Sequence, residues 1–247
     1  MDIRQYLDST YLKTAEQAGL TEAEYLNKVT AFVQEAINHK FKLAMIRPGV
    51  VKAAKELTVA AGSKVMVGTV IDFPKGRASI EEKLAEAQQA ILDGADELDF
   101  VLDYEGFKAG ATNAVKQQVR ECTKLGLENG KVVKWIIEVA ALDDHRIVQL
   151  SALVKNVVLT YFDEKDYSNV FVKTSTGFYI TEDGKPNGAT IAAIKLMLEN
   201  SFPLPVKAAG GVRTYEEAIY MVSLGVQRIG TSAALSIANG SVSEGGY

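Results

Sequence analysis

The sequence predicts an α/β fold, a (β/α)8 barrel with an extra N-terminal helix, and three observations lead there. Short apolar or β-branched runs alternate along the chain with longer stretches of helical period. Eight such runs occur, at 7–11, 42–47, 64–73, 97–103, 132–139, 169–175, 205–209 and 228–232. No Pro/Gly/Ser-rich linker, charge block or composition shift divides the 247 residues, a length that barrels of this class often reach as one domain. The expected organisation is therefore a single domain over 1–247 with a flexible tail at 239–247.

The elements follow in order. An opening helix-like segment at about 20–40 is read as the extra N-terminal helix. At 79–93, Ile80, Leu84, Ala87 and Ile91 fall near helical spacing and Gly94 supplies a stop. At 188–200 the apolar surface comes from Ile191, Ile194, Leu196 and Leu198, and a last helix is expected at 233–238. Parallel strands need crossovers of this length, and eight units close into a barrel without leaving exposed edges. The alternative is an open doubly wound sheet. Its dinucleotide-binding form is disfavoured because no glycine fingerprint opens the first helix and no P-loop is present.

Composition narrows the function classes. With 27 Lys and Arg against 31 Asp and Glu, the formal net charge of -4 argues against nucleic acid or anionic membrane as a partner. A local basic pocket for a small phosphate is still compatible with it. The single cysteine, Cys122, cannot form an internal disulfide, the opening Met1-Asp2-Ile3-Arg4-Gln5 lacks an apolar run, and no stretch has bilayer-spanning length. The cytoplasm is the expected location.

Chemistry is sought where polar residues interrupt strands, above all near strand C-terminal ends. Lys134, Lys173 and Lys207 lie in the proposed fifth, sixth and seventh strands, Asp99 in the fourth and Asp8 in the first. One such lysine alone could lay its stem along apolar surface with its tip in water. Three on consecutive strands of a parallel sheet fit that picture poorly. A lysine cluster suits imine formation, because an amine attacks a carbonyl only when unprotonated. Neighbouring strands lie about 4.8 Å apart. At an effective dielectric near ~20, two ammonium groups about 5 Å apart repel by roughly 3 kcal/mol. That is about two pKa units, taking one lysine from about 10.4 towards ~8, with desolvation pushing the same way. Lys173 and Lys207 would thus give one nucleophile and one retained cation, with Asp99 holding an ammonium and helping to move protons.

Glycines carry a second signal, since they let backbone N–H groups approach an anion. Gly177 follows the sixth strand, Gly210 and Gly211 the seventh, and Gly230 and Ser232 sit at the eighth. Each glycine alone would pass for an ordinary turn. Loops after strands seven and eight are where many barrels hold phosphate.

These residues resemble the deoxyribose-phosphate aldolase family over nearly the whole chain. The resembling runs are Gly94-Ala95-Asp96-Glu97-Leu98-Asp99, Lys134-Trp135-Ile136-Ile137-Glu138, Phe171-Val172-Lys173-Thr174-Ser175-Thr176-Gly177, Lys207-Ala208-Ala209-Gly210-Gly211-Val212-Arg213, Arg228-Ile229-Gly230-Thr231-Ser232 and a terminal Tyr247. The resemblance implies reversible cleavage of a small phosphosugar, 2-deoxy-D-ribose 5-phosphate, to two aldehydes, without metal or organic cofactor, by a homodimer. It implies Lys173 as Schiff-base lysine, Lys207 as its proton-relaying partner, Asp99 and Lys134 in support, and Tyr247 folding over the site. It also implies substrate or phosphate contacts at Asp8, Thr176, Gly177, Gly210, Gly211, Gly230 and Ser232.

The chain departs from the family pattern at Ser9, where His is usual after the Asp, and at Met45, where Cys is frequent. Arg47, Asp72 and Lys75 replace residues expected to be smaller, neutral or His, which leaves the acceptor aldehyde range open; Arg47 would either strengthen phosphate binding or sit in solvent. The two histidines, His39 and His145, are far apart and do not suit a multi-histidine metal site, and no Gly-x-Ser-x-Gly elbow is present. Cys122 reads as a buried inert thiol, 163–168 as a charged turn and 181–187 as a loop or lid. Two other functions stay open: a Schiff-base aldolase for another phosphosugar, and a non-catalytic sugar-phosphate-binding barrel.

Overall fold

The computed structural model describes residues 1–184 and 186–240. Strands β1 (Leu7–Thr10), β2 (Leu43–Ile46), β3 (Met66–Ile71), β4 (Glu97–Val101), β5 (Val132–Ile136), β6 (Val170–Lys173), β7 (Val206–Ala209) and β8 (Arg228–Thr231) pair in parallel in sequence order. β1 also pairs with β8, so the sheet closes and leaves no edge. The barrel is the architecture expected from the sequence, and closure excludes the open sheet. Each strand is shorter than its apolar run; 132–139, for example, narrows to Val132–Ile136, because the backbone turns left-handed at Glu138 and enters a 3-10 turn at Val139–Ala141.

The described helices are α1 (Ala15–Ala18), α2 (Glu22–His39), α3 (Val51–Ala60), α4 (Ile80–Leu92), α5 (Tyr104–Lys108), α6 (Thr112–Glu128), α7 (Asp144–Tyr161), α8 (Ile191–Ser201), α9 (Tyr215–Leu224) and α10 (Ala234–Ala238). The helix expected at 20–40 is α2, which follows β1 and serves as the first crossover. Ahead of β1 lies a single 3-10 turn, Ile3–Tyr6. Helix starts are set locally: capping boxes at Thr21/Glu24, Ser79/Glu82 and Thr214/Glu217 satisfy the first free N–H groups of α2, α4 and α9, each cap contributing about 1 kcal/mol. α4 ends at the glycine expected to stop it. With φ at +99°, Gly94 donates its N–H to the Ile91 carbonyl at 3.0 Å while Ala95 donates to Ala90 at 2.9 Å, a Schellman closure.

Strand alternation divides the core in two. Outward residues such as Ile46, Val67, Leu98, Trp135, Val172 and Val206 pack against inner helix faces. The Trp135 indole stacks on Phe100 and donates its N–H to Thr123 Oγ1 at 2.9 Å. The barrel interior is itself split by chemistry. On the β1–β3 side Leu12, Leu43, Met45 and Val70 form a buried apolar wall. The other strands, with β1, project Asp8, Glu97, Asp99, Lys134, Lys173, Lys207 and Arg228 inward, none more than 5% exposed. Register makes these neighbours: Asp99 lies beside Lys134, Lys173 beside Lys207, and Lys207 beside Arg228.

Candidate active site

Asp99 is the hub of the ionic half. Its Oδ1 accepts from Lys134 Nζ at 2.8 Å, and its Oδ2 accepts from both Lys173 and Lys207, each at 2.8 Å. The three lysines picked out in the sequence therefore meet on one carboxylate. Lys134 also contacts Glu97, placing it in a supporting position beneath Lys173.

Asp8, expected among the substrate contacts, is fully buried, and it pairs with Arg228 through Nε at 2.8 Å and with Lys207 at 2.6 Å. A carboxylate there would also repel a phosphate. Its place is in an ionic floor completed by Arg228 and Glu97, joined at 3.0 Å. Neither Arg228 nor Glu97 was singled out from the sequence, although Glu97 stands two residues from Asp99 and so shares its inward face. Arg228 holds Asp8 down at about 2 even though burial works to raise it. Burial favours neutral Arg228, yet Asp8 and Glu97 outweigh it and raise the guanidinium's pKa.

Among the described residues the cluster holds four basic groups, Lys134, Lys173, Lys207 and Arg228, against three carboxylates, Asp8, Glu97 and Asp99. One positive charge is in excess, and Lys173 is the group that can release it. Burial lowers its pKa to about 8; Asp99 opposes that shift, and Lys207 adds to it by repulsion. Repulsion was expected to lead from the sequence, whereas desolvation leads. Lys134 goes the other way, because Asp99 and Glu97 more than offset its burial. Three cations hold Asp99 well below the carboxylate range despite burial. At neutral pH the Lys173 shift leaves roughly one amine in ten free, against about one in three thousand at the ordinary value.

kcat/KM for a carbonyl substrate should climb with pH to a plateau with its midpoint near 8, where the free enzyme's amine loses its proton. Stability should show the same group. Between about 8 and the ordinary 10.5, the unfolded chain keeps a proton that the native chain has released, so stability rises with pH across that window. Denaturant titrations at several pH values measure the slope; a flat wild-type profile, or a slope that persists in Lys173→Met, would contradict the assignment.

Above the floor a pocket opens at the strand C-terminal ends. Lys173, Thr176, Gly177, Gly210, Gly211, Gly230 and Ser232 line it, together with Arg213 and Asn187. Lys173 thus faces both the cluster and the pocket; Lys207, wholly buried, does not line it. The loops are tied together around this opening. Thr174 Oγ1 donates to the Ala209 carbonyl at 2.7 Å and accepts from the Ala209 N–H, and Thr231 Oγ1 donates to the Val212 carbonyl at 2.8 Å. Gly210 and Gly211 each have φ of +86°, a conformation that leaves their peptides free to face an anion. Gly230 has a further role: a Cβ there would lie 3.0 Å from Lys207 Cε, so the missing side chain makes room for that lysine. Tyr247 and residues 241–247 of the expected tail lie outside the described residues.

The family departures find structural places. Arg47 is half-buried; it donates to the Leu12 carbonyl at 2.7 Å and the Phe73 carbonyl at 3.3 Å, and stacks over Phe73 and Phe178. It braces the rim beside the apolar wall. Asp72, in left-handed conformation, accepts from the Ala78 N–H and pairs with buried Lys83, while Lys75 is exposed. Ser9 is buried on the strand face opposite Asp8. Met45 is fully buried in the wall, and the lone thiol, Cys122, is buried on α6 with burial pushing its pKa up to about 12. Crotonaldehyde should therefore leave no stable sulfur adduct on the intact protein; an adduct mapped to Cys122 would contradict this.

Glu138, the last residue of one resembling run, carries no role in the sequence reading, because nothing local marks its left-handed backbone. Its carboxyl grips Thr176 just past Lys173. No group of three or more His, Cys, Asp or Glu suited to a metal ion occurs among the described residues, and no helix among them is long and apolar enough to cross a membrane.

Comparisons with known proteins agree with this geometry. Residues 12–242 match the family model described as DeoC/LacD family aldolase. The chain is 37% identical over 243 residues to the deoxyribose-phosphate aldolase of Thermococcus gammatolerans, covering 97% of this chain and 96% of that one. It is likewise 37% identical to that of Streptococcus uberis over the full length of both. Among solved structures it resembles the deoxyribose phosphate aldolase of Aeropyrum pernix, described as tetrameric, with a TM-score of 0.76 and 30% identity over 96% of this chain and 89% of the other.

Proposed function

The chain belongs to the DeoC/LacD aldolase family, and on that premise we propose that it is a class I aldolase using Lys173 to cleave 2-deoxy-D-ribose 5-phosphate reversibly into acetaldehyde and D-glyceraldehyde 3-phosphate. The observation that carries this reading is the excess cation: of the buried basic groups in the cluster, Lys173 combines a lowered pKa with access to the pocket.

In this mechanism the free Lys173 amine adds to the C1 aldehyde and water leaves, giving a protonated imine. The iminium draws electrons from the C2–C3 bond as the C3 hydroxyl gives up its proton. Glyceraldehyde 3-phosphate departs, and a two-carbon enamine stays on Lys173. Protonation at C2 and hydrolysis then release acetaldehyde and restore the amine. Asp99, in contact with both Lys173 and Lys207, is placed to pass protons between them, directly or through water. Lys134 and the Arg228, Glu97 and Asp8 floor hold that pair in position. The phosphate is met at the outer end of the pocket by Gly210, Gly211, Ser232 and Arg213.

Comparing cleavage of deoxyribose 5-phosphate with that of fructose phosphates tests the substrate. Preference for fructose phosphates would keep the Schiff base and change the sugar. Inertness toward all of them would favour a binding barrel. Self-association as a homodimer and a cytoplasmic location complete the reading, the latter supported by the free buried thiol Cys122. Sedimentation equilibrium tests the former.

A further inference from the structure

Glu138 stands two residues past the end of β5 in a conformation that few non-glycine residues adopt, with φ of +56°. It is wholly buried. Its Oε2 accepts two hydrogen bonds from one residue: the Thr176 hydroxyl at 2.5 Å and the Thr176 N–H at 3.1 Å. Thr176 Oγ1 in turn accepts the Phe178 N–H at 3.0 Å. The backbone reinforces the link, since Val139 donates to the Thr174 carbonyl at 3.0 Å. Thr176 and Gly177 line the pocket beside Lys173. A strained, buried acid is thus spent on one turn of chain, the turn that forms the pocket wall next to the reactive lysine. Such strain persists only where the surroundings enforce it, and it gathers at working sites.

We propose that Glu138 is a positioning residue for the reaction at Lys173: its carboxyl fixes Thr176, and with it the peptide from Thr176 to Phe178, as the wall against which the phosphosugar is seated. The inference rests on the aldolase reading. Glu138 does not touch the reacting atoms; it acts through Thr176. Burial lifts its pKa above the ordinary carboxyl value, against the hydrogen bonds from Thr176 and the pull of Lys173. Its Oε1 is buried as well, within reach of the Ser175 side chain.

Three variants test this by steady-state kinetics and thermal melting. Glu138→Gln keeps an accepting oxygen in a neutral group and should stay within about threefold of wild-type kcat/KM. Glu138→Gly removes the clamp, and the relief of the left-handed backbone partly offsets the lost buried hydrogen bonds, so a cooperative melt should show that it still folds. Its KM should rise roughly tenfold with kcat changed less than about threefold, the size of one or two lost hydrogen bonds acting alike on bound substrate and transition state. Combining it with Thr176→Ala should be no worse than the poorer single variant, because both remove one clamp. A wild-type KM in Glu138→Gly, a Gln variant as impaired as Gly, or additive losses in the double variant would each overturn the proposal. Wild-type protein inert toward deoxyribose 5-phosphate would overturn the aldolase reading itself, and the inference with it.

Discussion

Lys173→Met should lose at least about four orders of magnitude in kcat/KM while folding as well as the wild type or better. The first half is the ordinary result of removing a covalent nucleophile. The second half comes from the cluster's charge count. Wild-type protein buries four basic groups with three carboxylates, and the surplus lies on Lys173, whose pKa is driven down to about 8. Below that pH the native state carries the full penalty of the surplus charge. Removing it should add roughly 1–3 kcal/mol at neutral pH, less whatever the lost bond to Asp99 contributed. Chemical denaturation of the two proteins at pH 7 measures this. A variant clearly less stable than wild type would mean that the Lys173 charge is structural, and the case for a free amine would fail. A gain in stability on loss of activity is what a site holding a destabilised group for chemistry should give.

Asp99→Asn should behave in the opposite way. Asp99 accepts from three ammonium groups, so its neutral replacement leaves four basic groups facing two carboxylates in a closed interior. Breaking a buried pair in this manner costs roughly 3–5 kcal/mol. Activity should fall by about 10^2 to 10^4-fold, the span usual for a lost proton-transfer group. The pH profile separates the causes. Asp99 works to raise the pKa of Lys173, so its loss should move the acid limb of kcat/KM below its wild-type position near 8. A slower enzyme with more free amine would identify Asp99 as a proton carrier; an unmoved limb would contradict the electrostatic account.

Much of the fold was legible because parallel strands are buried on both faces and stand out as apolar runs. Lys134, Lys173, Lys207 and Asp99 were legible for the same reason, as charges set where apolar residues belong. What the sequence hid is contact across distance. Asp8 was assigned to substrate because its partner Arg228 lies 220 residues away and reaches it only when β8 closes on β1. Arg47 was ambiguous because its acceptors are backbone carbonyls, those of Leu12 and Phe73, which no side-chain pattern records. Gly230 read as an anion-binding glycine, yet it also clears space for a lysine on the next strand. Glu138 stands in one of the resembling runs, but its role was hidden because a left-handed backbone at a glutamate has no signature in composition or period.

The most direct measurement of the central claim is to incubate the protein with deoxyribose 5-phosphate and sodium borohydride, then map the adduct by peptide mass. The account predicts a reduced adduct on Lys173. An adduct on Lys207 instead would keep imine chemistry and contradict the assigned nucleophile, and no adduct under conditions that trap a known class I aldolase would contradict the account as a whole.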